Sequence, residues 1–211
     1  MKITIPESTA EIKLGDYQKY VSVVENSDND ESFQGLKMIE LFCHVPFRDV
    51  VKMKMTDVSE TLEILNKAFE KKRKFKNRFT INEVEFGFIP DLESLSMGEY
   101  IDVTQYLGVN EDLHKLMAVL YRPITESTRD LYNIEDYKGS ETYSDIMRFA
   151  PLDTVLEASV FFYHLTKALI QGMKHSSEPQ VMEVMDLVQT KFSQLNGDGT
   201  AVSLPLVERV I

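Results

Sequence analysis

The chain has no tryptophan, a single cysteine, and too few cations to balance its acids: 23 lysines and arginines face 34 aspartates and glutamates, a net charge of −11 over 211 residues. Each shortage excludes something. One thiol, Cys43, closes no internal disulfide, so a cystine-stapled scaffold is out and a reducing compartment is expected. The acidic balance argues against a general nucleic-acid binder and against adhesion to anionic membranes. No apolar run reaches the length of a membrane span; the nearest, residues 155–170, is broken by Glu157, His164 and Lys167. The opening "MKITIPESTA" lacks the long apolar stretch of a signal peptide. A cytosolic protein is expected, bacterial or made by something replicating in a bacterium, whose partners are other proteins and not membranes.

What is present is enough to build a core, since 43% of the residues are hydrophobic. Ten methionines serve either as core filler or as an adaptable binding surface. The expected fold class is mainly α (α+β), a helix bundle with a small β-hairpin, and two similar helical halves remain open. "ITI" suggests a short first strand. Helical spacing then marks residues 16–24, 33–43 (capped by Ser32), 56–70 (capped by Thr56), 111–121, 143–149 and 151–171, the last opened by Pro151 and closed by Gly172. "FTINEVEFGF" (79–88) reads as a hairpin turning at Asn82-Glu83. Pro123 is expected to stop a helix, and "TESTRDLYNIEDYKGSE" to be a loop. The long helix should bury Leu156, Phe161, Phe162, Leu165 and Leu169.

These elements divide the chain into an N-terminal strand plus helical subdomain (1–70), a basic connector (71–78), a hairpin plus helical subdomain (79–172), and a C-terminal amphipathic helix with an extended tail (173–211). An echo supports two related halves: "LGDYQKY" near the start and "MGEYIDV" later share hydrophobe, glycine, acid and tyrosine in the same order. Only the second carries a capping box. There Ser96 and Glu99, in the spacing S-x-x-E, would satisfy each other's free N–H groups at the start of a helix.

The chemistry-bearing patterns are sparse. The run "KKRKFKNR" sets Lys71, Lys72, Arg73, Lys74, Lys76 and Arg78 beside Phe75 and Phe79, a pattern suited to nucleic-acid or acidic-partner contact, or to a solvated connector. Cys43-His44 and the scattered His114, His164 and His175 lack metal-ligand spacing. Neither "DND" nor "NGDG" completes a calcium loop. No phosphate loop, dinucleotide fingerprint or nucleophile elbow is present, so neither an enzyme nor a cofactor is expected. The partner-binding candidates lie at the C-terminus: Val181, Met185, Val188 and Phe192 on one helical stripe, then Leu204, Leu206, Val210 and Ile211 in the tail.

The phrases "EFGFIPDLESLSMGEYIDV" and "LHKLMAVLYRPI", with "APLDTVLEASVFFYHLTKAL", resemble proteins from the structural modules of tailed bacteriophages. The segment "DVVKMKMTDVSETLEILNKAF" resembles small helical tail assembly chaperones of such phages, and the likeness covers about residues 1–170. It implies a non-catalytic protein of the host cytoplasm that binds the tape measure protein and keeps its helices soluble until tail tube protein polymerises around them. Two alternatives stand beside it. One is a permanent virion component, a connector or ring subunit between portal and tail, with homo-oligomerisation open. The other is a nucleic-acid-binding factor using the basic run.

Overall fold

The computed structural model describes residues 3–25, 31–92, 95–129 and 131–173, with side chains through Tyr163. The chain divides into two compact units. One contains the residues up to Arg73 together with Pro151–Asp153. The other contains Lys74–Ala150 and, among the described residues, the chain from Thr154 to Met173.

The first unit is helical among the described residues. It runs α1 (Leu14–Glu25), α2 (Glu31–Phe42), the single turn α3 (Phe47–Val50) and α4 (Met55–Glu70). Tyr17, Tyr20 and Val21 of α1 pack against Met38, Ile39 and Phe42 of α2, and Leu65 and Phe69 of α4 complete the core. Tyr20 and Phe69 each meet the Phe42 ring, at 5.2 and 5.8 Å between centroids. Gly35, in mid-α2, is explained by its neighbour: a Cβ there would lie 3.1 Å from Leu62 of α4, so its absence lets the two helices approach closely. The expected first strand "ITI" does not form. Instead a 3₁₀ turn (Thr9–Glu11) leads into α1, and Lys13 bridges to Pro151. Two expected caps also moved. Ser32 lies inside α2, and α4 begins at Met55 after Lys54, with the Thr56 hydroxyl bonded to Asp57.

The second unit wraps helices around a four-stranded antiparallel sheet in the order β1 (Arg78–Ile81), β2 (Val84–Phe88), β3 (Tyr121–Thr128), β4 (Leu131–Ile134). The β1–β2 hairpin turns at Asn82-Glu83, both left-handed at φ 48° and 68°, the geometry that matches strand twist in two-residue hairpins. The sheet's other half replaces the loop expected after Pro123. This proline is tolerated because of where it falls. Phe86↔Pro123 is the last β2–β3 pair, and Ile124↔Ile134 begins the pairing to β4. The strand therefore changes partners there, next to a register shift between Ile124 and Glu126, where a missing N–H breaks no ladder.

Helix α5 (Met97–Tyr106) and α6 (Leu113–Leu120) precede β3. The turn α7 (Ser144–Met147) and α8 (Leu152–Met173) follow β4. Helix α6 is the buried centre: Leu116 through Leu120 are all at or near zero exposure. Phe75, Phe88 and Phe161 form an aromatic knot, with Phe75 stacked on Phe161 at 4.2 Å and edge-on to Phe88 at 5.1 Å. Of the residues expected deep on α8, Leu156 and Phe162 are buried and Phe161 is half-buried; the Leu165 and Leu169 side chains lie outside the described residues. The protein is thus a mainly helical α+β fold. Among the described residues no helix is long and apolar enough to cross a membrane.

Candidate partner-binding site

In the first unit, the N-terminal segment and the α3–α4 corner enclose an open groove of about 530 Å³. Pro46 fixes the start of α3, which lasts one turn. The chain then bends through Lys52–Lys54 into α4. Ile3, Ile5, Met53 and Ile64 give the groove its apolar surface. Asp57, Glu60, Thr61 and Ile64 lie at i, i+3, i+4 and i+7, so one stripe of α4 forms a wall. Thr61 donates its hydroxyl back to the Asp57 carbonyl at 2.7 Å, which removes it as a free polar group. Lys52 and Lys54 line the same groove, so both charge signs ring an apolar strip. Nearby Met55 and Val51 are 79% and 53% exposed, a large apolar exposure for a chain of this charge.

The second unit holds a polar cleft of about 550 Å³ built on the start of α5. The capping box forms as expected: Ser96 Oγ accepts from the Glu99 amide, and Glu99 Oε2 accepts from the Ser96 amide at 2.8 Å. The other carboxylate oxygen accepts from Arg122 Nη1 of β3 at 2.5 Å, and both side chains are more than 90% buried. Burial alone would raise the Glu99 pKa. The Ser96 hydroxyl and amide and the Arg122 guanidinium outweigh it and hold the carboxyl below its ordinary value. The Tyr137 ring lies beside Arg122 and over Gly98, and its hydroxyl donates to Asp102. Tyr143 donates to Glu135 at 2.6 Å.

Glu99 is therefore a latch between helix and sheet, its two oxygens occupied, and not a free acid or base. Arg122 Nε is buried without a partner, the one such side-chain atom among the described residues. Sequence reasoning found the capping box but not its partner, because Arg122 is 23 residues away and "LYRP" looked like the end of a helix. Elsewhere in this unit His114 Nε2 meets Arg148 at 2.9 Å. Among the described residues no group of three His, Cys, Asp or Glu could hold a metal ion.

The basic run is not one surface. Arg78 donates to Ser127 Oγ at 2.9 Å and to the Arg129 and Leu131 carbonyls, with its guanidinium 4.4 Å from the Tyr132 ring centre. Arg73 donates to the Phe69 carbonyl at 3.0 Å. Phe75 and Phe79 are packed on other rings and offer no stacking platform. Lys71, Lys72, Lys74 and Lys76 remain exposed. Val181, Met185, Val188, Phe192, Leu204, Leu206, Val210 and Ile211 lie outside the described residues.

Compared with models of known protein families, with curated proteins and with solved structures, the chain matches none.

Proposed function

We propose that this chain is a non-enzymatic assembly protein of a tailed phage, acting as a tail assembly chaperone that shields an amphipathic helix of the tape measure protein. The observation that carries the reading is the first-unit groove. Its apolar strip, flanked by Lys52 and Lys54 and by Asp57 and Glu60, suits a helix docked by its apolar face with its polar edges against the rims. The sequence likeness to phage structural modules supports the same role, as does the absence from the sequence of any catalytic signature.

Binding of this kind should be reversible. The apolar lining is short, so a few side chains supply the contact and the partner can be handed on when the tail tube closes around it. The test is co-expression with the tape measure protein. The wild-type chain should keep that protein in the soluble fraction, and Ile64→Asp with Met53→Asp should let it sediment while the variant itself stays folded by circular dichroism. Equal solubility with the variant would sink the groove as the site. A permanent connector or ring subunit is the competing reading, and its signature is a fixed copy number in the finished particle.

A further inference from the structure

We infer that the first-unit groove selects a helix carrying one acidic and one basic side chain about two turns apart, beside its apolar stripe. The inference rests on the docking reading above and adds the chemistry by which the groove chooses a partner.

The charges around the groove are not equivalent. Lys52 lies 3.9 Å from Asp49, which also meets Arg48, and Asp57 accepts from the Thr56 hydroxyl at 3.2 Å. Lys54 and Glu60 line the same groove, both are exposed, and neither has a hydrogen bond or ion pair among the described residues. The groove therefore presents one unanswered cation and one unanswered anion. They stand at different heights on one wall. Lys54 immediately precedes α4 and Glu60 lies in its second turn, so they are separated by roughly 9 Å along the axis at about 1.5 Å per residue. No side chain caps α4, so the positive end of its dipole adds to Lys54.

A helix laid along this wall sets its apolar face on Ile3, Ile5, Met53 and Ile64. Its residues at i and i+7 share a face and are roughly 10.5 Å apart, in step with the two unanswered charges. An acid facing Lys54 and a base facing Glu60 answer both. A helix with two acids or two bases meets one opposite charge and one like charge, so it is disfavoured by repulsion as well as by a missing attraction. Exposed ion pairs are individually weak, so a preference of about fivefold is expected, with the apolar contact supplying most of the binding.

The experiment is fluorescence anisotropy in 0.15 M salt with three labelled eighteen-residue helical peptides of one apolar stripe. They differ only at two flanking positions seven apart, which carry Glu and Lys, two Glu, or two Lys. The wild-type chain should bind the Glu/Lys peptide about fivefold more tightly than either other peptide. Lys54→Glu should make the Lys/Lys peptide the tightest, and Glu60→Lys should do the same for the Glu/Glu peptide. Met53→Asp with Ile64→Asp should abolish binding of all three. If the three peptides bind the wild type equally and are still lost in the Met53/Ile64 variant, the charge selection is wrong and the docking reading survives. If none binds, or the Met53/Ile64 variant binds as well as the wild type, the docking reading fails and the inference with it. Saturable binding that appears only after residues 197–211 are deleted would make the chain's own tail the occupant and overturn both.

Discussion

Replacing Gly87 by alanine should break the sheet at one identifiable contact. An alanine Cβ at this position in β2 would lie 2.4 and 2.8 Å from two ring carbons of Tyr132 and 3.0 Å from Ile124. The ring cannot drift aside cheaply. Its single hydroxyl proton is shared between the Phe88 carbonyl at 2.7 Å and the Asn77 carbonyl at 3.1 Å, and the Arg78 guanidinium covers one face. Losing that one shared bond costs about 1 kcal/mol, and the cation–ring contact adds about 0.5–1 kcal/mol. Alanine returns roughly 0.5–1 kcal/mol of strand preference over glycine. The net destabilisation is therefore about 1 kcal/mol. Because the chain forms two units, a single global transition is not a safe readout. Hydrogen exchange of the Phe88 amide, bonded to Asn77 at 2.8 Å, reports on this sheet directly and should speed up by about fivefold. In a Tyr132→Ala background the same Gly87→Ala change should be close to neutral. If it costs as much there as in the wild type, the ring is not the reason position 87 is glycine.

Further outcomes follow from the same geometry. Arg122→Met should destabilise the second unit by about 3 kcal/mol, since Glu99 is left buried without its cation, and adding Glu99→Gln should recover part of that loss in urea melts. Because the folded Glu99 pKa is lowered, its contribution is present above about pH 4.5 and should fade as pH falls below that, which an acid titration of stability will show less steeply in the double variant. His114 is held below its usual pKa by burial first and then by Arg148, so its neutral form supports the fold above about pH 6.5 and stability should decline as pH drops further, less so in His114→Gln. The buried Cys43 thiol, pushed up to about 11, should react with a disulfide reagent at pH 8 far more slowly in the native chain than in urea. Glu83→Gly should stabilise the β1–β2 hairpin by about 1 kcal/mol, because Glu83 pays for a left-handed backbone that glycine adopts freely.

What could be read from the sequence was local. The Ser96–Glu99 box and the Asn82-Glu83 turn are set by residues within a few positions of each other, and both stand in the structure. Among the described residues the amphipathic helices were legible for the same reason, with ends off by at most two residues. The β3–β4 pair was not. "TEST" is exposed along its length and Pro123 looked like a breaker, yet the strand is held by partners 35 to 55 residues away, among them Arg78 on Ser127 and Tyr132 on Phe88. The groove was missed as well, because it joins Ile3 and Ile5 to Met53 and Ile64 across more than 45 residues, and no periodicity connects them.

The assay that most directly tests the assembly account is quantitative mass spectrometry of the infected-cell lysate and of purified particles. The account predicts this chain bound to the tape measure protein in the lysate and absent from finished particles. A fixed copy number per particle, persisting after high-salt washing, would contradict a chaperone and make the chain a permanent component of the virion.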